Sequence, residues 1–305
     1  MSSRGETQKR RSAERMSRLG AHMSIAGGLP RAVERVLEVE GTALQLFVKS
    51  SRQWKARPLA LEETGTFRNA VEAAGLERHV MAHASYLINL ASSNGVLWRR
   101  SLEALSVEVD RCAALGIPYL VLHPGSHGGS GERSGLERLA RALDHLYRPP
   151  GRKVRASRRQ VQVLLEITAG QGNGLGSTFE ELAWVLEHAS CSDSLGICFD
   201  TCHALAAGYE FRDGQTYEET FRHFDRAIGL GRLKAFHLND SRNGLGSHLD
   251  RHEHIGHGEV GLEAFRLILN DPRFRNLPMV LETPKGEDLG EDKINLGVLR
   301  AMIGR

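Results

Sequence analysis

Cysteine is scarce, long apolar runs are missing and the charge is nearly balanced, and each of these absences removes a class of function. Four cysteines, Cys112, Cys191, Cys198 and Cys202, in 305 residues form no paired framework, so a reducing, cytoplasmic setting is expected. Cys198 and Cys202 have a C-x-x-x-C spacing, but with no second pair they read as packed thiols rather than as a sulfur zinc site. No stretch approaches the roughly 20 apolar residues that span a bilayer, which argues against a membrane role. Residues 1–18 are rich in Arg with interspersed Ser and Glu and lack the apolar centre of a signal peptide. They read as a disordered basic tail ahead of one domain over residues 19–305. A formal net charge of +3 is too small to argue by itself for nucleic acid. No linker or low-complexity stretch divides the rest, and 41% hydrophobic with 25% charged residues is ordinary for a soluble globular protein.

What the chain does have is a repeat. Six times a short apolar run stops on a metal-ligand type: Val80-Met81-Ala82-His83, Leu120-Val121-Leu122-His123, Val163-Leu164-Leu165-Glu166, Ile197-Cys198-Phe199-Asp200, Ala235-Phe236-His237 and Met279-Val280-Leu281-Glu282. A continuous apolar run is the mark of a buried strand, and a polar residue at its last position is delivered beyond the strand's carboxyl end. Residues 19–23 and 43–48 read as two further strands, making eight. Between them run apolar stripes at helical spacing. Leu102, Leu105, Val109 and Cys112 precede the stop at Gly116 and Pro118; Leu136, Leu139, Leu143 and Leu146 form a second stripe. Ser177 with Glu180 has capping-box spacing ahead of Leu182, Val185 and Leu186, and Tyr217, Phe221, Phe224 and Ile228 precede Gly229. Strands alternating with helices imply right-handed parallel crossovers, and eight repeats predict an α/β fold closed into a single (β/α)8 TIM barrel with all carboxyl ends on one face. An open sheet gathers its ligand at one switch point, whereas here polar residues end strand after strand.

The segments Asp200-Thr201-Cys202-His203 and Asp250-Arg251-His252 raise the candidate ligands to nine, five His and four carboxylates. Singly, each has the ordinary reading of a helix cap or a satisfied backbone group. Together, buried without partners, they would cost about 1 to 3 kcal/mol each, and metal ions supply the partners. The donor set suits zinc, is compatible with manganese or iron, and is too rich in nitrogen for magnesium or calcium. With three or four protein ligands per catalytic zinc, nine candidates serve two or three ions. Two other motifs fail on spacing. Gly170, Gly172, Gly174 and Gly176 miss the dinucleotide pattern, and Ser126 beside His127 lacks a nucleophile elbow. The basic cluster Arg148, Arg152, Lys153, Arg155, Arg158 and Arg159 precedes the strand ending at Glu166, so it is expected as a solvated insertion on the opposite face.

Set side by side, these segments resemble the endonuclease IV family, metal-dependent apurinic/apyrimidinic endonucleases of the xylose isomerase-like TIM-barrel superfamily. The likeness runs from Gly20 to about Thr283. It includes Gly20-Ala21-His22-Met23-Ser24, Arg52-Gln53-Trp54, Ser85-Tyr86-Leu87-Ile88-Asn89-Leu90, His123-Pro124-Gly125-Ser126-His127, Thr168-Ala169-Gly170-Gln171-Gly172, Asp200-Thr201-Cys202-His203-Ala204, His237-Leu238-Asn239-Asp240 and Asp250-Arg251-His252. The resemblance implies three zinc ions. His83 and His123 would hold one, Asp200, His237 and Glu282 a second, with Glu166 bridging both, and His203, Asp250 and His252 a third. It also implies hydrolysis of double-stranded DNA 5′ to an abasic site, leaving a 3′-hydroxyl. Glu166 would position the attacking hydroxide, and Glu282 would accept a proton as well as ligate. Ile167 after Glu166, Arg242 where Lys is usual and Ser50-Ser51 ahead of Arg52 depart from the family pattern and bear on lesion recognition, not on metal.

Recognition is expected from loops on the same face: Arg52, Tyr86, Leu87, Gln171, Arg242 and Arg251 stand where they would meet DNA, an apolar wedge entering the stack while cations hold phosphates. The competing reading for Tyr86 and Leu87 is core packing, and Trp54 is expected to pack. A monomer is expected. The main rival function is a metal-dependent sugar isomerase on a related barrel, which would need fewer ions and would gain nothing from the Arg52 and Tyr86 loops. A non-catalytic DNA-binding module leaves nine ligand-type residues without a purpose.

Overall fold

The eight apolar runs become eight parallel strands that close on themselves. In chain order they are β1 (Arg18–Met23), β2 (Ala43–Phe47), β3 (Val80–His83), β4 (Tyr119–Leu122), β5 (Gln162–Glu166), β6 (Leu195–Asp200) and β7 (Leu233–His237), followed by an antiparallel ribbon of β8 (Asp240–Ser241) and β9 (His252–Glu253), and then β10 (Pro278–Leu281), which closes the barrel against β7 and β1. The structure, a computed structural model, describes residues 18–148, 156–286 and 288–304. Among these residues nine α-helices wrap the barrel: α1 (Leu29–Glu38), α2 (Leu61–Ala73), α3 (Gly95–Leu115), α4 (Glu132–Tyr147), α5 (Phe179–His188), α6 (Thr201–Ala207), α7 (Gly214–Ala227), α8 (Gly261–Asn270) and α9 (Gly290–Arg300). None is long and apolar enough to cross a membrane.

The predicted TIM barrel is therefore the observed fold, with corrections at the margins. Arg18, expected in the tail, is the first residue of β1, paired in register with Pro278; the rest of the tail, and Arg152, Lys153 and Arg155 of the basic cluster, lie outside the described residues. Arg158 is no free surface cation, because its guanidinium pairs with Asp110 at 2.5 Å and donates to Ser106 Oγ at 3.0 Å. The capping box sits one residue later than expected. Thr178 accepts from the Glu181 amide, and Glu181 answers to the Thr178 amide. Helix α3 starts where Asn94 Oδ1 accepts from the amides of Val96 and Leu97, and it stops at Gly116, whose φ of 75° suits the left-handed cap.

Strand periodicity carries the barrel directly to the site. Ala43, Met81, Val121, Leu164, Cys198, Ala235 and Val280 form one apolar layer inside the barrel. Side chains alternate along a strand, so the residue two positions on points the same way. Those residues are Gln45, His83, His123, Glu166, Asp200, His237 and Glu282. On β1 the same rule leads from Gly20 to His22. Gly20 has no tolerated replacement, since a Cβ there would lie 1.6 Å from the Ala43 carbonyl oxygen. One polar ring thus sits directly above one apolar layer.

Candidate metal centre and the loops around it

Glu166, fully buried at the end of β5, is the hub. Its Oε2 lies 3.2 Å from His83 Nε2 and 3.0 Å from His123 Nε2, and its Oε1 lies 2.9 Å from His237 Nδ1 and 3.3 Å from His203 Nδ1. His237 Nδ1 also faces Glu282 Oε2 at 3.3 Å and Asp200 Oδ2 at 3.7 Å. Beyond them His203 Nε2 and His252 Nε2 face each other at 3.4 Å, with Asp250 Oδ1 at 3.2 Å from the first and 3.4 Å from the second. All nine residues singled out from sequence fall within this one cluster. Together with Cys202, which the sequence alone reads as a packed thiol, they form groups whose donor atoms lie within 4.8 Å of one another: His83, His123 and Glu166; Glu166, Asp200, His237 and Glu282; Asp200, His203 and His252; and Cys202, Asp250 and His252. Asp200 thus stands between the second and third groups rather than in the second alone.

The hydrogen bonds behind the rings say what the cluster is built for. A carbonyl oxygen can only accept, so an imidazole nitrogen facing one carries a proton. His83 Nδ1 faces Ala84 O at 2.7 Å, His203 Nδ1 faces Ile167 O at 3.0 Å and His252 Nδ1 faces Glu282 O at 3.1 Å. In each neutral ring the lone pair is then on Nε2, aimed at a carboxylate oxygen or at another Nε2. Lone pairs do not attract one another. A positive charge must sit between them, either a proton on the ring or a metal cation, and a backing acceptor is the usual partner of a ligating His. The electrostatics agree. Burial disfavours a charged Glu166, yet His237, His123 and His203 outweigh it and hold the carboxyl well below its ordinary range. Burial likewise opposes charge on His203 and His237, yet Asp200, Asp250 and Glu166 push His203 well above the usual imidazole range, and Cys198, with Glu282 and Glu166, does the same for His237. Asp250, despite burial, is brought down to about 2 by His203, His252 and His123. The donor set therefore fits divalent cations.

Sequence reasoning missed two members of the ring. Gln45 accepts from His237 Nε2 at 2.8 Å, which leaves His237 Nδ1 as the lone-pair nitrogen facing Glu166, and its amide donates to Glu282 Oε1 at 2.5 Å. His22 Nδ1 lies 3.0 Å from Gln45 Nε2 and 3.4 Å from Glu282 Oε1. Asn239, the residue before β8, adds a third support: it donates to Asp200 Oδ2 at 2.7 Å and accepts from the Glu282 amide at 2.7 Å. Asp200 doubles as the N-cap of α6, accepting from the His203 amide at 2.8 Å, which fixes the short turn that presents His203. Asp250 and His252 are held by another buried carboxylate. Asp240 accepts from the amides of Gly256, Gly258 and Val260 at 2.8 to 3.1 Å and so ties down the loop that carries them.

Tyr86 is 65% exposed and its ring stands 5.6 Å from His83 and 5.5 Å from Phe47, over the cluster. Core packing is therefore not its role, while Leu87 is half-buried. Arg52, Gln171, Arg242 and Arg251 are exposed on the same face, although Arg242 is drawn back to Glu253 at 3.0 Å. A cavity of about 640 Å3 beside the cluster is lined by His22, Phe47, Lys49, Arg52, Tyr86 and Glu282, among others. Trp54 packs against the core and carries the Arg100 guanidinium 4.4 Å above its ring. The glycine run serves loop geometry: Gly170, Gly172 and Gly176 take positive φ, and Gly174 pairs with Ser126 of the neighbouring loop.

The family model of the xylose isomerase-like TIM barrel, AP endonuclease family 2, matches residues 33–301. A curated relative from Chloroflexus aggregans, named "Probable endonuclease 4", is 49% identical over 288 residues, covering 94% of this chain and 98% of its own. Among solved structures, endonuclease IV from Thermus thermophilus superposes with a TM-score of 0.80 at 39% identity over 93% of this chain and 98% of that one. A D-tagatose 3-epimerase-like protein superposes with a TM-score of 0.68 at 18% identity over 93% of this chain and 98% of that one, a likeness of fold alone. With half its residues shared along almost the whole of a relative, the chain belongs to the endonuclease IV family.

Proposed function

We propose that the protein hydrolyses double-stranded DNA on the 5′ side of an abasic site, leaving a 3′-hydroxyl and a 5′-deoxyribose phosphate, with three zinc ions, as a monomer in a reducing cytoplasm. As a member of its family the chain is a DNA-cleaving hydrolase. The observation that carries the finer reading is the convergence of imidazole lone pairs on Glu166, Glu282 and Asp250 across four overlapping groups. Divalent ions held by these residues would supply the charge to neutralise phosphate oxygens, to acidify a water and to stabilise the departing alkoxide. Manganese or iron suits the same donors.

The protein's own groups do the rest. Glu166 offers one oxygen to the His83–His123 side and the other to the His237 side, which supports the reading that it would hold ions on both sides and position the attacking hydroxide. Glu282 keeps Oε2 toward His237 while Oε1 takes the Gln45 amide, so it is oriented to ligate and to accept a proton. Arg52, Gln171, Arg242 and Arg251 would hold the backbone and Tyr86 with Leu87 would enter the stack, where an abasic nucleotide, having no base to unpair, is least costly to expose. The four cysteines are buried and free, in keeping with a reducing compartment. The sugar isomerase reading keeps only the likeness of fold.

Glu166→Gln retains the shape and removes the charge. The variant and the chelated parent are expected to lose cleavage of a duplex carrying one abasic site by about 10^3-fold or more, with circular dichroism of the variant little changed. Full activity in the metal-free parent overturns the reading.

A further inference from the structure

Beneath the loops that carry Arg52 and Tyr86 lies a buried charged cluster, of which Lys49 alone borders the cavity beside the metal centre. Glu108 is 1% exposed on α3, and Lys49, two residues past the end of β2, is 5% exposed. Their side chains pair at 3.1 Å. The other Glu108 oxygen accepts from the Ser85 amide at 3.1 Å, directly before Tyr86. Lys49 Nζ donates to Gln53 O at 2.7 Å and to Ser50 O at 3.3 Å, on either side of Arg52. One turn along α3, Arg111 donates to Val48 O at 2.6 Å and to Arg57 O at 2.8 Å. Ser85 Oγ closes the set by donating to Ser51 O at 2.5 Å. Beyond the ion pair itself, every bond named goes to main-chain atoms of the loop after β2 or the loop after β3.

Burying an ion pair is often no more stabilising than filling the same space with apolar side chains. An apolar pair, however, has nothing to offer a loop carbonyl or amide, and buried backbone groups need partners. The cluster therefore stands in for the secondary structure that these two loops lack. We propose that Glu108 and Lys49 are positioning residues that set the spacing between Arg52 and Tyr86, and through it the affinity for DNA opened at the lesion. This rests on the reading that those loops meet DNA.

The test compares Glu108→Gln, which keeps the shape without the charge, and the paired Lys49→Met with Glu108→Leu, which fills the space with apolar groups. On a duplex with one abasic site, both are expected to raise KM about tenfold with kcat within about threefold of the parent, and bound metal per chain unchanged. Amide hydrogen exchange over residues 49–53 and 85–89 is expected to accelerate in both, while the barrel strands stay protected. A folded variant with the parent's KM, or with the parent's exchange in both loops, overturns the inference, as does a fall in kcat at constant KM. If the parent itself leaves the abasic duplex uncut, the endonuclease reading fails, and hydrogen exchange alone decides whether the clamp exists. Where Glu108→Gln does not fold, the paired apolar variant carries the test.

Discussion

Gln45→Leu separates a ring built for cations from one that is merely polar, because Gln45 is not itself a candidate ligand. The parent side chain is fully buried, its oxygen 2.8 Å from His237 Nε2 and its nitrogen 2.5 Å from Glu282 Oε1. Leucine has nearly the same length and no polar atoms, so the variant strips one partner from buried His237 and from part-buried Glu282, and also the 3.0 Å contact to His22. An orphaned buried group costs about 1 to 3 kcal/mol, so the metal-free variant is expected to lose about 2 to 6 kcal/mol of stability. A second effect bears on metal. With the Gln45 carbonyl gone, His237 is free to carry its proton on Nδ1, the nitrogen that faces Glu166 and Glu282. Loss of such an outer partner lowers metal affinity about 10- to 100-fold, which is about 1.4 to 2.8 kcal/mol. Competition with a chromophoric chelator measures the affinity, and urea titration of the metal-free protein measures the stability. A Gln45→Leu variant that holds its metals as tightly as the parent and unfolds at the same urea concentration refutes the reasoning.

Three other perturbations address the surroundings. Tyr86→Ala removes an exposed ring and is expected to leave the melting temperature alone while cutting the preference for abasic over intact duplex about tenfold, the scale of one lost stacking contact; an unchanged ratio of kcat/KM values rules out the wedge. Gly125→Ala puts a Cβ 2.5 Å from Asn89 Oδ1 at a backbone φ of 99°, and a loss of about 1 to 3 kcal/mol is expected, visible as a lower urea midpoint and contradicted by an unshifted one. Asp271→Asn tests linkage. Burial works against the Asp271 charge, but Arg273 at 2.5 Å and the Tyr217 hydroxyl at 2.8 Å outweigh it and depress its pKa. A depressed carboxyl contributes stability that is full above its unfolded value near 4 and fades as pH falls through the folded value. The parent is therefore expected to exceed the variant by most at about pH 6 and to converge on it toward about pH 2; a constant difference over that range removes the assigned cause.

The strand-end ligands were legible because two periodicities coincide: an apolar run long enough for a buried strand, and a ligand-type residue at its last position. Gln45 escaped for a chemical reason, since an amide is not a ligand type and the run 43–48 reads as apolar around it. Its signal was nonetheless present. It is the one polar residue in that run, two positions past Ala43, just as Glu166 is two past Leu164. Glu108 carried a comparable mark, a carboxylate beside Val109 on the apolar stripe that ends at Cys112. The capping box slipped by one because Ser177 and Thr178 both have a Glu three residues on. The choice falls to the tertiary setting, where Glu181 also accepts from the amides of Gly176 and Ser177. Pattern alone cannot rank two equal local options.

The ring of polar residues at the strand ends would serve many metal-dependent reactions on a barrel, so the features that direct this one toward a nucleic acid lie in the loops. The third group of ligand types is the clearest case. His203 stands on the turn into α6, and Asp250 and His252 on the loop closed by the β8–β9 ribbon, none of them at a barrel strand end. Their position depends on neighbouring loops being fixed to one another. Asn89 exchanges hydrogen bonds with Ser126 in both directions, Ser126 pairs with Gly174, and His248, at a φ of 54°, bonds through Nδ1 to Ala169 O and through its amide to Ala206 O. Each such bond contributes only about 1 kcal/mol, but the chain of them runs from the loop after β3 through the loops after β4, β5 and β7 and onto helix α6. A loop that moved alone would break bonds on both sides. That mutual restraint is what lets polar, exposed segments hold several charges in register without an apolar core of their own, and preorganised charge is the largest contribution that a site for phosphoryl chemistry can make.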